Sequence, residues 1–270
     1  MGYYEPYSSL VWFQEDGLVN ATLIMLIVVG GIGFLVWQDL LEHRLNWRKY
    51  SLHTKIVLSV TAILLFGGAF VFWLLERNAL FAELSFGGAF WSSMFASATA
   101  RTAGFNTIDV AAMSEGSKLW NIMLMVVGGS PGSTAGGIKT TTIAAIFIGV
   151  WANIRHEEHM NIFGRRLEED AVRRASAIIT INVTAALVSA ILIAALDSVP
   201  MIDAMFETFS AIGTVGMTTG ITRDLNVLSK AILIVMMYCG RLGSLSFALS
   251  FTERKRIAPV QQPAEQIPIG

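Results

Sequence analysis

The sequence predicts an all-α integral membrane protein made of parallel repeats, each a span, a short re-entrant helix, a glycine turn and a second span. Three observations carry this. Hydrophobic residues make up 54% of the 270 and charged residues 14%, against roughly a quarter charged in soluble domains, so the apolar surplus requires lipid. The apolar stretches fall into two length classes, and an offset of 112 residues lays one half of the chain on the other. The net charge of −1 offers no basic surplus for nucleic acid, and the lone Cys239 excludes an intrachain disulfide.

A helix needs about 20 apolar residues to cross the hydrocarbon layer. Five stretches are long enough: 18–41, 56–75, 119–150, 175–196 and 228–251. Two more, 84–99 and 202–212, are too short, and each runs into a polar glycine-containing segment, as expected of pore helices that enter and return on one side. Cytoplasmic loops carry the Lys and Arg excess. Arg44, Arg48, Lys49 and Lys55, then Arg155, Arg165, Arg166, Arg173 and Arg174, then Arg254, Lys255 and Arg256 therefore mark the inner side, with the C-terminus inside. The opposite loops, with Glu76, Arg77, Glu83, Asp197, Asp203 and Glu207, face out. Met1 then lies outside without a signal peptide, so further chain is expected upstream.

The 112-residue offset brings Thr102, Ala103 and Gly104 onto Thr214, Val215 and Gly216, and Gly128 onto Gly240. Both copies begin inside, so they are parallel and can surround a common axis. The boundaries are 51–160 for one copy and 161–256 for the next, with 257–270 a Pro-containing tail. Residues 1–50 end an earlier copy whose closing span is 18–41, with Gly30 and Gly31 in the place of Gly128 and Gly129. Counting back 24 residues reaches Pro6, and a slightly longer outer loop would make Gly2 the corresponding turn glycine.

A dehydrated potassium ion needs oxygens in place of its water, and an extended turn whose carbonyls face one axis supplies them. Thr102-Ala103-Gly104-Phe105-Asn106 and Thr214-Val215-Gly216-Met217-Thr218 read as degenerate filters of this kind, the glycines allowing positive φ and the threonines adding hydroxyls. Arg101 and Asp109 read as rim charges bracing the first turn. The alternative, plain hairpin breaks, does not account for two copies at matched spacing.

The stretch 119–150 would be about 48 Å long as one helix, yet its middle is Gly128-Gly129-Ser130-Pro131-Gly132-Ser133-Thr134-Ala135-Gly136-Gly137, followed by Lys139. Gly and Pro cost about 1 and 3 kcal/mol each relative to Ala inside a helix. The helix therefore breaks at membrane depth, where irregular backbone must be buried in protein or line a water-filled cavity. This loop is a candidate gate. A phosphate-binding reading fails because Ile138 separates Gly137 from Lys139 and no strand precedes the loop. Arg241, deep in the last span, is a candidate pore-facing charge able to pair with the gate loop.

Arg101 to Asn106, the stretch GGSPGSTAGGIKTTT at 128–142, Thr214 to Thr218 and Gly240-Arg241-Leu242-Gly243 together resemble the Trk/Ktr/HKT superfamily of potassium transporters, most closely its bacterial Ktr-type membrane subunit. The resemblance implies four span, pore-loop, span repeats around one pore, of which this chain would hold the third, the fourth and the closing span of the second, the third with a broken helix. It also implies potassium translocation with sodium as a possible second ion, a homodimer of membrane subunits in the inner-membrane bilayer, and a cytoplasmic nucleotide-binding regulatory ring as partner. No covalent chemistry is expected, so the chain is not read as an enzyme. The rival readings are a non-conducting membrane fragment and an ion-coupled secondary transporter. The second would place acidic residues inside spans, and none of the five has one away from its ends.

Overall fold

The computed structural model describes residues 9–44, 46–157 and 159–242, and they are mostly helical. The readings for Pro6 and Gly2, for residues 243–251 of the last span, for Arg254, Lys255 and Arg256, and for the tail 257–270 lie outside them. α3 (Leu52–Ala62) passes through a π-helical turn, Ile63–Gly67, into α4 (Gly68–Glu76), and the combined helix Leu52–Glu76 has 25 residues. The extra residue of a π turn releases a backbone carbonyl. Here Ser97 donates its hydroxyl to the Leu64 carbonyl at 2.8 Å. α8 (Glu169–Asp197) is the second helix long and apolar enough to cross a membrane among the described residues.

The stretch 18–41 is not one continuous helix. α1 (Gly17–Gly31) and α2 (Phe34–His43) meet at 96°, which corrects the continuous helix expected from composition. The bend sits at Gly33, whose φ of 84° is costly for any residue with a Cβ and whose missing side chain makes room for the Pro131 carbonyl. Hydrophobicity alone registers neither the dihedral nor the neighbour.

α5 (Phe86–Thr99) and α9 (Met201–Ile212) have 14 and 12 residues. At 1.5 Å per residue they are about 21 and 18 Å long, short of the roughly 30 Å of hydrocarbon. α6 (Glu115–Val126) and α7 (Thr140–Ile154) are separated by 13 non-helical residues, 127–139, and α10 (Val227–Leu242) closes the described chain. A two-residue hairpin, β1 (Asn161–Ile162) with β2 (Arg165–Arg166), joins α7 to α8. The core surrounds the two short helices. Phe206, Phe209 and Ala204 of α9 pack with Phe72, Met125, Ile193, Leu233 and Met236, while Phe95 and Ala98 of α5 pack with Ile24, Leu65 and Ala69. Outward-facing Met25, Phe66, Phe147 and Ile191 present an apolar exterior suited to lipid.

Two carboxylates fasten one end of this bundle. Glu76, fully buried at the end of α4, accepts from the Ser114 amide at 3.0 Å and its hydroxyl at 2.7 Å. Ser114 in turn caps α6 through the Ser117 amide. Asp197, ending α8, accepts from the Asn226 amide at 2.8 Å and from the Ser229 hydroxyl, so it holds the start of α10 in the same manner. A buried donor that loses its acceptor costs about 1–3 kcal/mol. Glu76→Ala strands the Ser114 amide and hydroxyl, so thermal unfolding of the detergent-purified chain is expected to shift by about that amount, whereas exposed Glu83→Ala leaves it within about 0.5 kcal/mol.

Candidate functional site

The two Thr-x-Gly turns follow the C-terminal ends of α5 and α9 and come together. A Cβ on Gly104 would fall on the Val215 carbonyl oxygen, and its φ is 79°, so only glycine fits there. Thr102 and Thr214 also have positive φ, 66° and 53°, and Gly216 has 90°. Each turn therefore alternates the sign of φ at the same two positions, which swings successive carbonyls toward one side. With Ser9, Glu207, Met237 and Arg241, the turns line an open cavity of about 770 Å³. The negative ends of two helix dipoles point at it, an arrangement that favours a cation over an anion.

Hydroxyls on the short helices hold the turns. Thr99 of α5 donates to the Phe105 carbonyl, and Ser210 of α9 donates to the Met217 carbonyl at 2.6 Å while accepting from the Gly216 amide at 3.2 Å. The Asn106 carbonyl accepts from the Leu10 amide at 3.0 Å. The turns thus divide in two. Carbonyls of Phe105, Asn106 and Met217 are committed to the protein, whereas among the described residues nothing donates to those of Thr102, Ala103, Gly104, Thr214, Val215 or Gly216. Five of these residues, Ala103, Gly104, Thr214, Val215 and Gly216, line the one cavity, so among the described residues five carbonyls without a protein donor belong to its wall.

Glu207, on α9 and buried, anchors the far side of the second turn. It accepts from the hydroxyls of Thr218 and Thr222, each at 2.5 Å, and from the Thr219 amide at 3.0 Å. Lys118 of α6 bonds Asp203 at the start of α9 at 2.9 Å, tying the helix in place at its other end. Sequence reasoning assigned Glu207 and Asp203 to the outer loops and did not single out Thr99 or Ser210. The available signal was an acid inside the apolar segment 202–212 followed by threonines at 218, 219 and 222.

Residues 127–139 form a closed loop beside these turns. The Gly128 amide donates to Ile138 at 2.8 Å, the Thr140 amide to Gly129 at 3.2 Å, and the Ser130 and Thr140 hydroxyls meet at 3.0 Å. Ser133 bonds the Ser130 carbonyl at 2.6 Å, and Lys139 Nζ bonds the Ala135 carbonyl at 2.6 Å. Gly136 packs on the Thr214 side chain, and the Gly137 amide donates to Gly240 at 3.4 Å. The helix bend reaches the same loop, since the Ser130 amide donates to Gly31 at 2.9 Å and the Phe34 amide to Gly132 at 3.1 Å. Arg241 crosses from α10 and donates from Nη1 to the Thr134 carbonyl at 2.6 Å.

Arg101 does not sit on a rim. It is buried, with Nη2 on the Thr61 hydroxyl of α3 at 3.2 Å and Nε without a partner. The cause is its position directly after α5, where the chain is still beneath the surface formed by α3 and α4. Asp109 is exposed and accepts from the Ala111 amide at 3.0 Å, so it closes a local turn.

Fold and site define a mostly helical membrane protein in which the turns after two short helices line a shared cavity. Residues 4–257 match the family described as TrkH, cation transport protein, and the chain belongs to that family, whose members are transporters and not enzymes. It is 38% identical over 270 residues to the potassium/sodium uptake protein NtpJ of Enterococcus hirae, covering 97% of this chain and 59% of the relative. The Ktr system potassium uptake protein B of Vibrio alginolyticus is 38% identical over 246 residues, 89% and 53% of the two chains. Its namesake in Bacillus subtilis is 34% identical over 250 residues, 92% and 56%. The chain thus spans somewhat over half the length of these relatives. The crystal structure of the potassium transporter TrkH from Vibrio parahaemolyticus shares the fold, with a TM-score of 0.73 at 17% identity over 86% of this chain and 51% of that one.

Glu207→Ala removes the acceptor shared by three donors. Because each 1.4 kcal/mol is tenfold in an equilibrium and a bond to a charged group contributes about 1.5–3 kcal/mol, amide hydrogen exchange across 216–223 is expected to quicken by about tenfold or more. Glu207→Gln, which keeps an acceptor, is expected to quicken it less.

Proposed function

We propose that this chain forms part of a potassium pathway across a membrane, in which the turns Thr102 to Asn106 and Thr214 to Thr218 coordinate the dehydrated ion. One observation carries the reading: five residues whose carbonyls have no protein donor among the described residues line one cavity at the dipole-negative ends of two short helices. Within each turn, the carbonyls of Thr102, Ala103 and Gly104, and of Thr214, Val215 and Gly216, are the coordinating set. Phe105, Asn106, Met217 and Thr218 brace them. The names of the relatives, all containing potassium and one sodium as well, support potassium as cargo with sodium as a second ion.

The units 51–160 and 161–256 act as parallel repeats. The matched φ signs support this, as do the carboxylates Glu76 and Asp197, each holding the helix that follows a turn. In this reading the Ser85 and Ser114 end faces out, the C-terminus lies in the cytoplasm of the inner membrane, and the pathway is completed by further repeats. Homodimerisation and a cytoplasmic nucleotide-binding ring belong to the same reading through family likeness.

Residues 128–137 with Lys139 act as the gate. They touch the second turn at Gly136 and Thr214, and Arg241 holds them from across the cavity. Two cations, Lys139 and Arg241, on the way to the filter raise the barrier for a third while the loop stays in place.

The test is rubidium uptake in a bacterial strain without its own potassium systems, with the chain expressed alone and fused to the N-terminal half of a relative. Gly216→Asp or Gly104→Asp is expected to abolish uptake at normal membrane expression, and uptake that survives both would remove the turns from the pathway. Arg241→Ala, which frees the Thr134 carbonyl, is expected to raise maximal uptake several-fold in the same assay. A fall in uptake would assign Arg241 to permeation and not to gating.

A further inference from the structure

Away from the turns, a second cavity of about 310 Å³ opens between the first turns of α3, α7 and α8. Its wall is apolar, built by Ile56, Leu167, Ala171 and Ile178. Its polar groups are Arg174, His53 and the hydroxyls of Thr141 and Thr142. Arg174 lines it and makes no hydrogen bond or ion pair with a described residue, and the hydroxyl-bearing Thr142 lines it as well. His53 also lines it, with a buried Nε2 that has no hydrogen-bond partner. Among the described residues no acidic side chain lines the cavity.

The surroundings give its depth. Trp47, just before α3, meets both Tyr50 and Phe163 edge-on. Trp and Tyr gather where hydrocarbon meets headgroups. Basic side chains share this end of the molecule, among them Arg48, Lys49, Arg155, Arg165 and Arg173. A groove at that level, greasy along one wall and cationic at its mouth, matches an amphiphile with an anionic head.

We infer that this groove is a binding site for one anionic glycerophospholipid, with the phosphate at Arg174 and His53 Nε2 and an acyl chain along Ile56, Ala171 and Ile178. Basic pockets between membrane helices recognise anionic headgroups in this way. The buried His53 Nε2 is costly to keep without a partner, the exposed Arg174 guanidinium is free to pair at the mouth of the groove, and a phosphodiester supplies acceptors to both. The inference is independent of the ion pathway, since it rests on no residue of the turns or of the loop 127–139.

The full chain in detergent is titrated with phosphatidylglycerol, phosphatidylcholine or inorganic phosphate, and bound lipid is counted by native mass spectrometry. One phosphatidylglycerol is expected to remain under conditions that strip phosphatidylcholine. Arg174→Gln is expected to weaken retention about fivefold, the size of one basic side chain at an anionic surface. Ala171→Trp, which fills the groove and leaves Arg174 and His53 intact, should weaken it at least as much. Arg173→Gln, whose arginine is exposed and paired with Asp170 at 3.2 Å, should keep it. Equal retention of the two lipids overturns the proposal, as does equal loss in the Arg173 and Arg174 variants, which would mean diffuse surface charge. Displacement of the lipid by inorganic phosphate alone would overturn the lipid assignment in favour of a free anion.

Discussion

A helix that stops inside a membrane leaves its last carbonyls without partners, and no water in the hydrocarbon layer can satisfy them. In the proposed reading α5 and α9 both stop this way. The structure around them is arranged so that some of these carbonyls are satisfied by the protein and others are left facing a cavity. The long helices α3–α4 and α8, with α10, pack around the short ones, and Phe95 and Phe206 lock the short helices into the core. Without that enclosure the two turns would be as costly as any open backbone in lipid. With it, the carbonyls left without donors are available to the cation of the proposed pathway.

The two turns are held differently from behind. At the second, a buried carboxylate collects threonine donors, so the negative charge of Glu207 is spread over its hydrogen bonds. At the first, the nearby buried charge is the guanidinium of Arg101, bonded to one hydroxyl. Ser9 and Leu10 brace that turn in place of a carboxylate, through bonds to the amide and carbonyl of Asn106.

Several of these features were readable in the sequence for a direct physical reason. Composition demanded lipid, segment length separated spans from short helices, and Gly and Pro between 128 and 137 marked where helix could not continue. Each is a local or additive property. What escaped depended on pairs distant in the chain. The bend at Gly33 is set with the Pro131 carbonyl about a hundred residues away, and the glycines at 30, 31 and 33 permit a break there without specifying its angle. The roles of Glu76 and Asp197 require knowing that Ser114 and Asn226 begin helices beside them, and a carboxylate at a helix end otherwise reads as a loop charge. Arg101 read as a rim charge because the depth of the turn below the surface is fixed by how far α5 is sunk, which sequence does not state.

The loop between α6 and α7 has a firm base and a weakly held tip, and this bears on how it could move. Gly128, Gly129 and Ser130 are buried, and the base is closed by backbone bonds to Ile138 and Thr140. Gly132 and Thr134 are exposed, and the tip is held by the Phe34 amide, the Phe34 ring against Gly132 and the Arg241 guanidinium on Thr134. In a cavity open to water, such bonds exchange for bonds to solvent at a net cost of about 0.5–3 kcal/mol each, whereas opening the buried base would strand donors and acceptors. Displacement therefore begins at the tip. Two of the three tip contacts come from Phe34, the first residue of α2, and the other end of that helix is fixed to the basic segment before α3 through Asp39 and the Ser51 amide. A force on that segment is transmitted along one short rigid helix to the contacts that cost least to break, so the 96° bend turns α2 into a lever on the loop.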